Sequence, residues 1–387
     1  MTKLLSTTSL ARAAVIGKGG LLAALPLTLL ACASAQAGPV DLTVGGFFVQ
    51  SVAAVDADSD TDNLEDEGIV QNAEIHFKGK AILDGGTEIG LNIQLEAETS
   101  SDQIDEHYVY AKGDWGKLIV GAENGVAHLG EVTAPGFVAG LKMHDNSLTD
   151  AVIEKAYDVA LGANAIEDAN MSTKIEHISS DANKVSYFTP RLNGLQLGVS
   201  FAPNNEDADG GESNFEVIEA GTQEDIIEFS VNYKMRMMNG TRVKLGYTQV
   251  EGSTVGGGAD PESYGYGVQI AYDNYVFGAN QTTYENLRAI PADSEVDEEY
   301  AGSIEIETTN IAAAYKIGAT KFGIGFTDSE EILEAGGKVD YEELMIGGST
   351  KLADGVSVGY YYQDTEASLN NTSADVSLIG LTLALKF

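Results

Sequence analysis

The sequence predicts an all-β chain, a 16-stranded antiparallel transmembrane β-barrel, and three observations lead there. Segments of about ten residues alternate apolar and polar side chains, the period of a strand with two different faces. Tight turns alternate with long acidic segments between them. The last segment is apolar on every second residue and stops at an aromatic, Phe387.

Taken in order, the first 37 residues stand apart. They carry Lys3, Arg12 and Lys18, an apolar stretch from Leu21 to Leu30, and a small-residue tail, Ala35-Gln36-Ala37. This is a secretory signal peptide cleaved after Ala37; its apolar stretch is too short for a membrane helix, which needs ~20 residues. Residues 38–387 remain as the barrel domain. Cys32 is the only cysteine and lies in the leader, so the exported chain has no disulfide, thiol nucleophile or Cys-based metal site. Leu29-Leu30-Ala31-Cys32 also resembles a lipoprotein signal, but its second Leu is atypical and the A-x-A site follows directly. No acid and three of the 22 bases lie in the leader, leaving 59 acids against 19 bases. Such a chain attracts cations and excludes nucleic acid as a partner.

The strands are expected at 41 to 55, 69 to 80, 87 to 98, 105 to 112, 117 to 122, 184 to 190, 195 to 202 and 224 to 237. The second half continues at 241 to 251, 262 to 272, 275 to 285, 304 to 316, 319 to 328, 340 to 351, 356 to 366 and 373 to 387. Ile89, Leu91, Ile93 and Leu95 oppose Glu88, Asn92, Gln94 and Glu96. Ile227, Phe229, Val231 and Tyr233 oppose Glu228, Ser230, Asn232 and Lys234. The strands at 105 to 112, 275 to 285 and 304 to 316 alternate poorly.

Any one strand would suit a soluble sandwich; the connections do not. Asp84-Gly85-Gly86, Asn193-Gly194, Asn239-Gly240, Asp273-Asn274 and Asp354-Gly355 are hairpin turns. Between them lie long segments at 56 to 68, 203 to 223, 286 to 302 and 329 to 339. Short turns at one end and long loops at the other describe a membrane barrel with both termini periplasmic. Barrels of ~16 strands keep an open aqueous lumen.

Several pieces carry a family resemblance: the Gly79 to Gly90 hairpin, Gly116-Lys117-Leu118-Ile119-Val120-Gly121 before the longest loop, Val185-Ser186-Tyr187-Phe188-Thr189-Pro190 with Asn193-Gly194-Leu195, and terminal Phe387. Their order over the whole mature chain resembles the general porins of Gram-negative bacteria, of alphaproteobacterial type. The resemblance implies a homotrimer in the bacterial outer membrane, surrounded by lipopolysaccharide, that passes small hydrophilic solutes and ions. It also implies that Phe387 is read by the barrel-assembly machinery. The third long loop of that family folds into the lumen, and here the segment from Glu123 to Asn183, about 60 residues, holds its place.

In that loop Ser147 and Asp150 are spaced like a capping box before 151–159. Glu131, Asp145, Asp150, Glu154 and Asp158 are the candidate constriction acids. His76, Lys78 and Lys80 on the second strand, and Lys234, Arg236, Arg242 and Lys244 about the Asn239-Gly240 turn, are the candidate basic wall. Asn72-Ala73-Glu74 stands where the family often has arginines. The acid excess predicts a cation preference. Asp56, Asp58, Asp60 and Glu67 are spaced in part like a calcium loop, but Thr61 replaces the sharp-turn Gly. Calcium is therefore a possible ligand and no other cofactor is indicated. Divalent bridging to lipopolysaccharide phosphates is the alternative use of these acids. No G-x-S-x-G, H-E-x-x-H or P-loop occurs, and His76, His107, His128, His144 and His177 lack ligand spacing, so the chain reads as no enzyme. The other readings are a substrate-specific porin and a non-conducting adhesin or structural barrel.

Overall fold

The computed structural model describes residues 39–57, 66–97, 104–145, 147–161, 166, 168–205, 218, 220–287, 303–334, 336–370 and 372–387. The expected signal peptide lies outside the described residues, as do Asp58 and Asp60. Sixteen strands form one closed antiparallel barrel in which each pairs with its sequence neighbours and β1 pairs with β16. They are β1 Asp41–Ala57, β2 Glu67–Ile82, β3 Glu88–Glu96, β4 His107–Gly113, β5 Gly116–Ala122, β6 Asn183–Phe188, β7 Leu195–Asn204 and β8 Gln223–Arg236. The ring continues through β9 Arg242–Thr254, β10 Glu262–Tyr272, β11 Tyr275–Glu285, β12 Ser303–Ile317, β13 Thr320–Leu333, β14 Lys338–Ala353, β15 Val356–Leu369 and β16 Thr372–Lys386. Between β5 and β6 lie three helices, α1 Val126–Gly130, α2 Ser147–Leu161 and α3 Asp168–Met171.

Closure runs from Phe47 opposite Lys386 to Ala57 opposite Val376. Phe387 finishes the seam: Gly46 N donates to Phe387 O (3.0 Å) and Phe387 N to Gly46 O (3.1 Å). The terminal residue thus contributes its backbone to the barrel and leaves its ring exposed. Outward-facing Ile379, Leu381 and Leu383 are exposed although apolar, as are Phe322, Ile324 and Phe326 on β13. Such a surface suits hydrocarbon, and there every backbone amide must find its partner within the protein. The short turns use the backbone that their residues favour. Asn193 has φ 50° and Gly194 φ 93°, the paired positive values of a two-residue hairpin turn.

Two expectations change. The segment at 329 to 339 is not a long loop: β13 continues to Leu333, β14 begins at Lys338, and Leu333 N donates to Gly337 O (3.2 Å). The acids there alternate as a strand must, with Glu331 buried against Ser303 Oγ and Asp328 and Glu330 exposed on the outer face. Charge concealed the period because both faces rise beyond the hydrocarbon. The poor alternation of β11 and β12 also has a cause. Their inner faces pack on the loop and mix Gly278, Ala312 and Ala314 with Asn280, Thr282, Thr308 and Asn310, so polarity does not follow the faces.

A Cβ at Gly46 would run into Glu74 O, and its φ of 154° is strained for an L side chain. Gly46→Val is expected to abolish the folded, heat-modifiable band on unboiled gels; a normal band would show that the seam tolerates it.

Candidate functional site

The segment from Glu123 to Asn183 lies along the inner wall in two runs. It starts at α1, which packs on β6 to β9. There Ala127 N donates to Glu228 Oε2 (3.0 Å) and Val126 N to Ser200 Oγ (3.3 Å). The first run then crosses the wall over a lane of glycines: Val132 over Gly246 and Gly267, Pro135 over Gly278, Phe137 over Gly323, Val138 over Gly347 and Gly359. A Cβ on Gly278 would sit 2.9 Å from Pro135 Cδ, and one on Gly347 2.7 Å from Val138 Cγ2, so a larger residue would push the loop off the wall. Lys321 Nζ donates to Gly136 O (2.7 Å) and Thr382 Oγ1 to Ala139 O (2.5 Å). The chain turns beside Val49 and forms α2 against β15, β16 and β2.

The second run returns through α3, on β12 and β13. Asn280 joins the two runs: its Oδ1 accepts from Ala134 N (2.8 Å) and its Nδ2 donates to Thr173 Oγ1 (2.5 Å), which donates to Asn310 Oδ1 (2.6 Å). Ser179 Oγ then donates to Glu228 Oε1, the carboxylate that also receives the start of the loop. Both ends of the loop are therefore clamped on one acid.

An apolar core holds the loop down. Phe137, Met143, Leu148, Ile153 and Tyr157 pack with Tyr341, Met345, Tyr361 and Leu378 of the wall. Tyr157 meets Tyr341 edge-on at 6.4 Å, and its OH lies 2.7 Å from Thr365 Oγ1. Each large side chain buried in this way contributes about 1.5–3 kcal/mol.

The candidate acids of the loop separate into two groups. Asp145 is buried and paired with Lys142 (2.7 Å) and Lys174 (3.2 Å). Burial pushes its carboxyl up, but the two ammonium groups outweigh burial and hold it well below the usual range. Glu131 accepts from Ile175 N (2.7 Å), and burial drives its carboxyl well above the usual range. Asp150 is also buried, in the first turn of α2. Glu154 and Asp158, on the same helix, keep partial exposure, and Asp158 lies 4.0 Å from Lys155. The helix begins at Ser147 itself.

The candidate bases lie in two places. His76, Lys78 and Lys80 face inward on β2, toward the periplasm from where α2 meets that strand; His76 pairs with Glu74 at 2.6 Å. Lys234, Arg236, Arg242 and Lys244 face inward at the periplasmic ends of β8 and β9. They lie below the first run, which crosses β9 at Gly246, on the wall that the loop covers. Asp56 and Glu67 are exposed, at the outer ends of β1 and β2. Among the described residues no group of three His, Asp or Glu side chains is placed to hold a metal.

Sequence reasoning missed the ionic network that joins the two runs. Lys174 pairs with Asp145 and with Glu176 (3.0 Å), and Glu176 with His128 Nδ1 (3.1 Å). Burial lowers the basicity of His144, to about 4. No local pattern announces pairs that are some thirty residues apart. The glycine lane did have a signal, the spacing of Gly265 and Gly267, of Gly323 and Gly325, and of Gly347 on inward positions.

Lys174→Met would leave Asp145 and Glu176 largely buried without their shared cation, a loss of about 3–5 kcal/mol. The loop of the folded barrel is expected to become cleavable by protease while the barrel stays heat-modifiable. A loop as resistant as the wild type would show that Lys142 and the apolar core suffice.

Residues 21–370 match the family of Gram-negative porins. No curated protein matches the chain. Among solved structures it is similar to OmpT of Vibrio cholerae in its trimer form, with 12% identity and a TM-score of 0.58 over 90% of this chain and 100% of that one. It is also similar to an anion-selective porin from Comamonas acidovorans, with 14% identity and a TM-score of 0.56 over 90% and 100%. A third is Salmonella typhi OmpF in complex with daunomycin, with 14% identity and a TM-score of 0.56 over 89% and 97%. With its ladder closed through Phe387 and its longest loop laid inside the lumen, the chain belongs to the Gram-negative porin family, non-enzymatic diffusion channels of the outer membrane.

Proposed function

We propose that this porin is a general pore for small hydrophilic solutes and that it prefers cations. The observation that carries this reading is the one-sided placement of the long loop. Its helices pack on β6 to β9, β12, β13, β15, β16 and β2 and make no extensive contact with β3 to β5. That wall carries Tyr108, Tyr110, Lys112 and Lys117 with at least partial exposure, around the buried Asn92 and Ile119, and Lys117 Nζ lies 5.2 Å from the Tyr110 ring centroid. On α2, which packs on β15, β16 and β2, the loop presents Glu154 and Asp158 with partial exposure. Two signs across a narrow passage orient polar solutes and disfavour apolar ones.

Cation preference follows from the outer mouth. On the barrel's outer face Asp328 stands opposite Glu342, Glu342 opposite Glu366, and Glu366 opposite Asp375. Like charges so placed raise the local cation concentration. Asp56 and Glu67, with Asp58 and Asp60 of the same outer segment, are where calcium or a divalent bridge to lipopolysaccharide would bind. The proposal includes three copies per assembly, by analogy with the trimer form of OmpT, assembly through Phe387, an exported precursor cleaved after Ala37, and an alphaproteobacterial type.

In planar bilayers the protein is expected to give large ohmic steps, with reversal potentials in a KCl gradient that indicate cation preference. The preference should shrink toward 1 M salt, where the Debye length is ~3 Å, and Glu154→Gln with Asp158→Asn should reduce it further. Anion preference would overturn the selectivity, and steps blocked by one sugar would replace the general pore with a specific one.

A further inference from the structure

The strand bases of this barrel are segregated along its axis. Outside the long loop, Lys184 and Lys338 are the only bases among the described residues at the outer ends of strands. Every other strand base lies in the half of its strand nearer the Asn193-Gly194, Asn239-Gly240 end of the barrel, where the chain's C-terminus also lies. Short turns are periplasmic in a barrel of this kind, so the inner mouth is basic while the outer mouth is acidic.

These bases are also placed against one another. Lys234 stands opposite Lys244, Arg236 opposite Arg242, Lys112 opposite Lys117, and Lys316 opposite Lys321. Like charges directly opposite in an antiparallel pair destabilise it, and a nearby carboxylate could relieve this, as Asp354 in the next turn does for Lys351 (2.5 Å). None of the eight has an ion pair among the described residues. The densest sector is β6 to β9. Lys234, Arg236, Arg242 and Lys244 are exposed there and face the lumen. Arg191, on the neighbouring turn, is held in place by Gly194 O (2.7 Å), Asn232 O (3.2 Å) and Gln196 Oε1 (2.7 Å). Five cations on two adjacent hairpins, open to water and without a protein counter-charge, form a surface for an anion of several charges. Arginine forks and point-charge lysines together suit phosphate oxygens.

We infer that the periplasmic mouth of this porin binds polyvalent phosphate-bearing anions at Arg191, Lys234, Arg236, Arg242 and Lys244. Such an anion approaches from the periplasm, because the acidic outer mouth repels it. The bound anion neutralises the repulsion between the paired bases and narrows the pore from within. The pore is then polarised along its axis, and a polyvalent anion blocks it from one side only.

The test uses the folded full-length mature protein and inorganic tripolyphosphate. Calorimetry in mild detergent is expected to show binding that weakens steeply with added KCl, and weakens at least ten-fold in Lys234→Gln/Arg236→Gln/Arg242→Gln/Lys244→Gln. Lys142→Gln/Lys155→Gln, on the long loop, should leave the affinity within two-fold. In planar bilayers, block should need at least ten-fold less tripolyphosphate on one side than on the other, and the fourfold variant should lose that difference. No calorimetric binding, affinity lost only in the loop variant, or equal block from both sides would overturn the site. Calorimetry does not depend on conductance, so absent current steps would count against the pore alone.

Discussion

The pairing of β1 with β16 is the constraint on which the rest depends. A backbone amide in hydrocarbon has no water to turn to, so a sheet that enters the bilayer must have no edge. The seam from Phe47 opposite Lys386 to Ala57 opposite Val376 removes the last edge. Its final hydrogen bonds use Gly46 and Phe387, and the close approach of Gly46 to Glu74 O leaves no space for a side chain. With the ring closed, every strand has one face on lipid and one inside. The inside of a barrel this wide cannot be filled by wall side chains alone.

The long loop fills part of that space, and it does so as a protein core does. Its apolar residues find Tyr341, Met345, Tyr361 and Leu378 on the inner wall, where a water-filled channel would favour polar side chains. The glycine lane lets its backbone approach the sheet, and Asn280 and Glu228 satisfy polar groups on both runs at once. Burial also decides what its charges can do. Glu131, Asp145 and Asp150 are committed to holding the loop, whereas Glu154 and Asp158 keep access to water. The helices of the loop make no extensive contact with β3 to β5.

Charge is divided along the axis as well as across it. Acids on the outer face stand opposite one another above the hydrocarbon, and inward bases do the same beside the short turns. Both arrangements forgo stability that mixed pairs would supply. A field along the pore is what such a sequence gains from them.

The strands, their number, the end at which each turn lies and the place of the long loop were legible in the sequence, because lipid imposes a period of two and hairpins demand Asn, Asp and Gly. β10 and β11 were bounded to the residue. Legibility failed where water or packed protein replaced lipid: at 329 to 339, where acids occupy both faces, and on β11 and β12, whose inner faces mix polar and apolar groups against the loop. The candidate acids could be found by type and segment, yet their exposure could not. Whether Asp145 meets a solute or Lys174 depends on chain that returns some thirty residues later. The sequence by itself determined the barrel, since each strand states its own two environments locally. Only the tertiary structure decided which charges face the lumen, because that depends on the wall against which the loop comes to rest.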